Sequence, residues 1–422
     1  MIARTFCLCA SLAWLASSLH AAETRVWMSR KGGLLEAKLG SFEKDSVTLV
    51  KPDNQIVTLK AEELCLADRQ YLVDLGEAPK SLITGGKADL VEKDYKPDKK
   101  SFQELEEKLT FSNPDAGSYT QLETPHFIVA SVGRIRPHAV AETAERMWYG
   151  MAFEHMGFRK HWGDKRMLIL LVGDETAHQG LCEYSISLIE GEEGRGSADE
   201  SFNAEIYRTR WKRNGTNSLY LPDDLTAARK LQPVALVFNT TGDDEFKQPL
   251  SPYVVHVLAG RLLGNYMGYV SDYADQGYFA ILTGHKYYKE IGLAGKSETN
   301  LLSVESTGQD VISSKSGFRD GSSWAKTLRE LVRKGQVEPK LGPMLRWRLD
   351  ELDPEKLVTI YSFSHYMQSD NQRLSAYSKL IRRIETSNQV PPPAEIAKIF
   401  GFDTVEQLET DWTTFIKEGD FK

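Results

Sequence analysis

Cysteine, excess positive charge and long apolar runs are all scarce in this chain, and each scarcity removes a class of protein. Only four Cys occur in 422 residues; Cys7 and Cys9 lie in the first ten, leaving Cys65 and Cys182. Two distant thiols are not a disulfide framework, and no Cys-x-x-Cys or Cys/His zinc spacing follows them. A Cys65–Cys182 bridge is one option in an oxidising compartment, and two buried free thiols are the other. Lys plus Arg total 52 against 59 Asp plus Glu, a formal net charge of −7. Without a basic excess to grip a phosphate backbone, nucleic acid is not expected as a partner. The apolar stretch at 6–15 is too short to span a bilayer. No G-x-S-x-G elbow is present, and the phosphate-loop near-miss at Gly295-Lys296-Ser297 has Glu290 where its first glycine belongs.

What remains is an ordinary globular composition, 41% hydrophobic and 26% charged, which excludes disordered, collagenous and coiled-coil chains. Arg4, the short apolar stretch, the small residues ending at Ala21 and Ala22, and then Glu23 form a secretory signal peptide over residues 1–21. The protein is therefore expected to be exported, to a periplasm, a cell surface or the medium. No transmembrane segment is expected in the mature chain. Residues 25–60 alternate apolar and polar between turn signals at Lys31-Gly32-Gly33 and Pro52-Asp53-Asn54, the pattern of a small antiparallel barrel. A short helix over 61–75 follows. The features Arg25-x-Trp27, Val47-x-Leu49 and Leu64-x-x-x-Asp68-x-x-Tyr71-Leu72 resemble the Sla homology domain of the first type, an SH3-like module spanning 22–75. That resemblance implies peptide binding or an accessory packing role. Residues 76–118, rich in Gly, Pro and charge, read as a linker with one helix at 101–109.

From 119 to 422 a larger domain is expected. A strand begins after Pro125, and an amphipathic helix over 136–158 carries Val140, Ala144, Met147 and Met151 on one face. Strands at 166–172 and 234–238 follow, then helices over 251–268, from about 273, and over 322–334, 355–368 and 371–386. A terminal helix carries Val405, Leu408, Trp412 and Phe415. The predicted class is α+β: a small β-barrel plus an α+β domain with a largely helical C-terminal half.

Thr124-Pro-His-Phe127, the strand at 167–172, the helix at 251–264, Asp275-Gln-Gly-Tyr278 and the tail Leu408-Glu-x-x-Trp412 together resemble the peptidase MA-like (gluzincin) family of exported zinc peptidases. That family implies His-Glu-x-x-His on a helix, where the four-residue spacing puts both imidazoles on one face and the glutamate activates a zinc-bound water. A third ligand comes from a following helix. Here the stretch reads His256-Val-Leu-Ala-Gly260, and the later pair is Gln276-Gly277. His256 stands at the first ligand position, Val257 replaces the base, Gly260 the second histidine and Gln276 the third ligand. Valine takes no proton, and one imidazole with a glutamine holds zinc poorly. His256 is then expected to be a hydrogen-bonded helix histidine, and Gly260 a point of close packing.

No cofactor and no catalytic or metal-binding residue is expected. The expected function is a non-catalytic pseudopeptidase that binds protein or peptide through the barrel or through a cleft lined by Tyr253, His256, Val257, Asp275 and Gln276. The alternatives are a zinc-dependent hydrolase with ligands relocated around His256, Asp272, Asp275 and His285, and a structural or glycan-binding envelope protein. Binding by the last would depend on Arg210 and Trp211 within residues 207–213. That basic and aromatic run is itself read as a solvated hairpin balanced by nearby acid.

Overall fold

The computed structural model describes residues 23–191, 202–241, 245–268, 277–297, 299 and 321–421. The expected signal peptide lies outside the described residues, as do Asp272, Asp275 and Gln276. Two compact units are present, Met1–Leu64 and Cys65–Lys422.

The first unit is an antiparallel meander of β1 (Arg25–Met28), β2 (Leu34–Glu43), β3 (Ser46–Val50) and β4 (Ile56–Lys60) in sequential order. The turn between β2 and β3 has Lys44 and Asp45 both at positive φ, 48° and 67°, the mirror-image turn whose twist matches a hairpin. An antiparallel bridge from Ser29 to Leu64 ties the end of the unit back to β1. Trp27, Met28, Ala37, Val47, Leu49 and Leu64 fill the interior, and the Trp27 indole donates to the Ala37 carbonyl at 3.1 Å.

The second unit begins with α1 (Leu66–Asp74), the helix that contiguity in sequence had assigned to the barrel. It packs on later helices of the second unit, and the reason is electrostatic: Asp68, fully buried, accepts from Arg159 at 2.6 Å. Cys65 and Cys182 are both free and buried. Burial pushes the Cys65 thiol up to about 12, so it stays protonated and unreactive.

After the short α2 (Ser81–Thr84), the expected linker helix is replaced by a strand, β5 (Gln103–Thr110), which is one edge of a six-stranded sheet. The Glu/Lys-rich sequence favours helix intrinsically, but pairing with β6 (Ser118–Glu123) overrides it, and an edge strand tolerates this much charge. The sheet continues through β7 (Phe127–Val132), β8 (Met167–Val172), β10 (Val234–Asn239) and β9 (Thr216–Tyr220), in the order β5-β6-β7-β8-β10-β9. Strands β7, β8 and β10 are parallel, and β9 closes the far edge antiparallel to β10.

Helices cover both faces, which is why β8 is buried at every position. One face packs Ile128, Ala130, Leu168 and Leu170 against Leu181, Ile186 and Trp211. These come from α5 (Glu175–Glu190) and α6 (Ala204–Arg213), so residues 207–213 form a helix where a hairpin was expected. Asn203 caps α6 by accepting from the Ile206 amide at 3.1 Å, and Tyr207 and Trp211, one turn apart, share its inward face. The other face carries α3 (His138–Glu154), α4 (Phe158–Trp162) and, after α7 (Asp223–Arg229), α8 (Pro252–Met267). Phe127 meets Trp162 and Phe238 meets Tyr253 there.

The C-terminal half is helical: α9 (Tyr278–Ala294), α10 (Gly321–Arg333), α11 (Leu341–Met344), α12 (Pro354–Met367), α13 (Asn371–Ser387), α14 (Pro393–Ile399) and α15 (Val405–Glu418). Gly295 is the left-handed cap of α9, φ 80°, which accounts for the Gly-Lys-Ser run without a phosphate. No helix among the described residues is long and apolar enough to cross a membrane.

Gly180 of α5 lies against the backbone of the turn at Pro114–Ala116, where an added Cβ collides with the Asp115 carbonyl carbon and the Ala116 nitrogen. Alanine gains about 1 kcal/mol of helix propensity, whereas overpacking against backbone costs about 1–3 kcal/mol. Gly180→Ala is therefore expected to lower stability by up to about 2 kcal/mol, read as a drop in the urea midpoint at unchanged slope.

Candidate functional site

A cleft of about 1150 Å³ opens beside the sheet edge, lined by Asn214, Thr216, Asn217, Ser218 and Tyr220 on one side and Val257, Gly260, Arg261 and Gly264 of α8 on the other. Lys286 of α9 and His161, Trp162 and Lys165 also line it. Strand parity decides what β9 offers to this space. The Asn239 amide donates to the Gly215 carbonyl and the Leu221 amide to the Pro233 carbonyl, each at 2.9 Å. Odd-numbered positions of β9 therefore bond to β10, and the backbone N–H and C=O groups of Thr216, Ser218 and Tyr220 point to the outer edge. Among the described residues no further strand pairs with that edge.

The expected site residues separate on inspection. Val257 and Gly260 line the cleft. His256, 2% exposed, turns inward, and its Nδ1 lies 2.8 Å from Glu290 Oε2. Burial lowers its pKa, with Lys286 acting in the same direction and Glu290 opposing. The imidazole is then neutral near pH 7 and donates from Nδ1 to the carboxylate. Tyr253 sits behind the strand, its hydroxyl 2.6 Å from that of Thr216. His285 belongs to a different interior. Its Nδ1 faces the Tyr377 hydroxyl at 3.1 Å, and it lies five positions before Glu290, about 140° around α9 at 3.6 residues per turn. His256 and His285, two of the relocated-ligand residues, are thus not brought together. Trp211 is buried, and its indole donates to the His178 carbonyl at 3.1 Å, so it offers no exposed platform for a sugar or base.

The residues at the positions that the resemblance aligns with metal ligands do not fit zinc. Val257 has no donor atom, Gly260 has no side chain, and the space a Cβ would enter at 260 is filled by Lys286, whose Cδ, Cε and Cγ approach to 2.9, 3.0 and 3.1 Å. A histidine at 260 has to displace that stem, and an ammonium repels a cation.

Sequence reasoning missed Lys286 and Arg261. Arg261 Nη2 donates to Ser218 Oγ, and burial lowers its pKa. Burial also lowers Lys286, partly offset by Glu290. The available signal was Arg261 one turn after Val257 on the same helix face. Nothing local pointed to Lys286, whose role depends on how α9 docks on α8. Comparison with protein-family models, with curated proteins and with solved structures gives no match.

Proposed function

We propose that this chain is an exported, non-catalytic pseudopeptidase that binds an extended segment of protein or peptide along β9. The observation that supports this reading is the outer edge of β9, whose backbone groups at 216, 218 and 220 have no strand partner among the described residues and lie beside a large cleft. Such an edge holds a peptide by main-chain hydrogen bonds, while side-chain pockets select its sequence. Hydrolysis is not part of the reading: at the position next to His256 a valine stands where a proton acceptor is needed. The SH3-like resemblance of the first unit adds a second surface of the same general kind.

A proline at 220 tests the edge directly. The Tyr220 amide points away from β10, so proline is sterically admissible on this edge strand and removes one donor from the peptide-facing side. Tyr220→Pro is expected to weaken binding of an extended Val/Thr-alternating peptide about tenfold or more relative to Tyr220→Ala, measured by fluorescence anisotropy. Equal affinity in the two variants counts against strand addition. Peptidase activity that a chelator abolishes counts against the non-catalytic part.

A further inference from the structure

The charges in the cleft are one-sided. Lys165, Arg261 and Lys286 line it, and among the described residues no Asp or Glu does, in a chain whose formal net charge is −7. Among the described residues neither cation has a carboxylate in hydrogen-bond contact, although the charge of Glu290 acts on Lys286. Among the described residues Arg261 bonds only the Ser218 hydroxyl, and Lys286 has no hydrogen bond or ion pair. Glu290 acts on Lys286 through its charge, while its oxygens accept from neutral groups: Oε2 from His256 at 2.8 Å, and Oε1 from the Thr299 amide and hydroxyl at 3.2 and 3.0 Å. A part-buried guanidinium such as Arg261, which has only a hydroxyl on it among the described residues, is costly unless a ligand supplies the opposite charge.

Resting on the peptide reading above, we propose that Lys286 and Arg261 form a carboxylate-binding site, selecting acidic extended peptides. Lys286 stands where a side chain at Gly260 would be, so the glycine leaves room for a fixed positive charge. Arg261 is held toward β9 by Ser218, whose backbone groups face the outer edge. A peptide paired with β9 brings its own side chains, or its C-terminus, to these two cations. The shared chemistry is a carboxylate, supplied either by a glutamate side chain or by a chain terminus.

The test uses the full mature chain and three fluorescein-labelled Val/Thr-alternating octapeptides: one with a central glutamate and an amidated C-terminus, one with glutamine and a free C-terminus, and one with glutamine and an amide. At least one carboxylate-bearing peptide is expected to bind about tenfold more tightly than the neutral one, the value of a charge-assisted hydrogen bond, and which of the two does so identifies the source. Lys286→Met and Arg261→Met are each expected to erode that preference about fivefold or more, read as the ratio of the affinities for the carboxylate-bearing and the neutral peptide. Lys286→Arg, which keeps the charge, is expected to retain it, and this separates loss of the site from loss of fold. Equal binding of all three peptides overturns the carboxylate site and leaves strand addition standing. So does a preference that survives in the double Met variant. Binding of none of them overturns both.

Discussion

Lys289→Met is expected to lower the stability of the second unit by about 3–5 kcal/mol, the loss typical of removing one partner from a buried charge cluster. Lys289 Nζ lies 2.7 Å from Glu92 Oε1 and 2.6 Å from Glu154 Oε1, and all three side chains are buried. Burial alone would lower the ammonium, but the two carboxylates hold it above its usual range. Burial pushes Glu154 up to about 7, with Lys289 pulling the other way, so near neutral pH the cluster relieves its excess negative charge by keeping a proton. The second oxygens of Glu92 and Glu154 have no hydrogen-bond partner among the described residues. Methionine keeps the length of the lysine stem and leaves two carboxylates facing each other. The triple variant Glu92→Gln, Glu154→Gln, Lys289→Met is expected to recover most of the loss, because no unpaired charge then remains. Urea unfolding of the single and triple variants checks this, and a single variant within about 1 kcal/mol of the parent would falsify the cluster as a determinant of stability.

The second large effect is acid lability. Burial, then Lys289, lowers His155 from 6.5 to about 3, and His285 and His256 are lowered for the same first cause. A group whose folded pKa is depressed contributes stability that is present above its unfolded value and is lost as pH falls toward the folded one. For His155 the window runs from 6.5 down to about 3, at about 1.4 kcal/mol per pH unit, so this residue alone accounts for about 2 kcal/mol between pH 6.5 and 5. Glu154 works in reverse. Its folded pKa is raised from 4.5 to about 7, so its contribution is complete below 4.5 and is lost as pH rises through 7. At the same slope Glu154 offsets His155 between pH 7 and 5, so the fall in stability expected over that range is the contribution of His285 and His256. Urea midpoints at pH 7, 6 and 5 measure it. A flat profile would mean that these imidazoles are solvated in the native state.

Strands β7, β8 and β10 and helices α3, α8 and α9 were all legible in the sequence, because each is a short apolar run or a long periodic stretch bounded by turn residues. The α+β class followed from their order. Residues 101–109 failed as a helix because propensity there is set by Glu and Lys, while the outcome is decided by pairing with a strand that is nearby in sequence but silent in composition. Residues 207–213 failed as a hairpin because their aromatic residues face a core contributed by α5 and the sheet. Assigning residues 66–74 to the barrel missed Arg159, a partner 91 positions away. In the cleft, Val257 and Gly260 could be singled out from the sequence, and both line it. What fills the space could not, since Lys286 reaches it from another helix and carries no motif.

The Lys289 cluster also bears on how the chain acquires its structure in time. Its two ion pairs join residues separated by 197 and 135 positions, and the sheet-capping α3 cannot settle its Glu154 until α9 has been synthesised and docked. Contacts of such sequence separation form late, after the entropy of closing long loops has been met. The first unit, whose meander joins only successive strands, is free of that delay. Its folding is expected to be fast and local, and the second unit is expected to remain uncommitted until α9 has emerged.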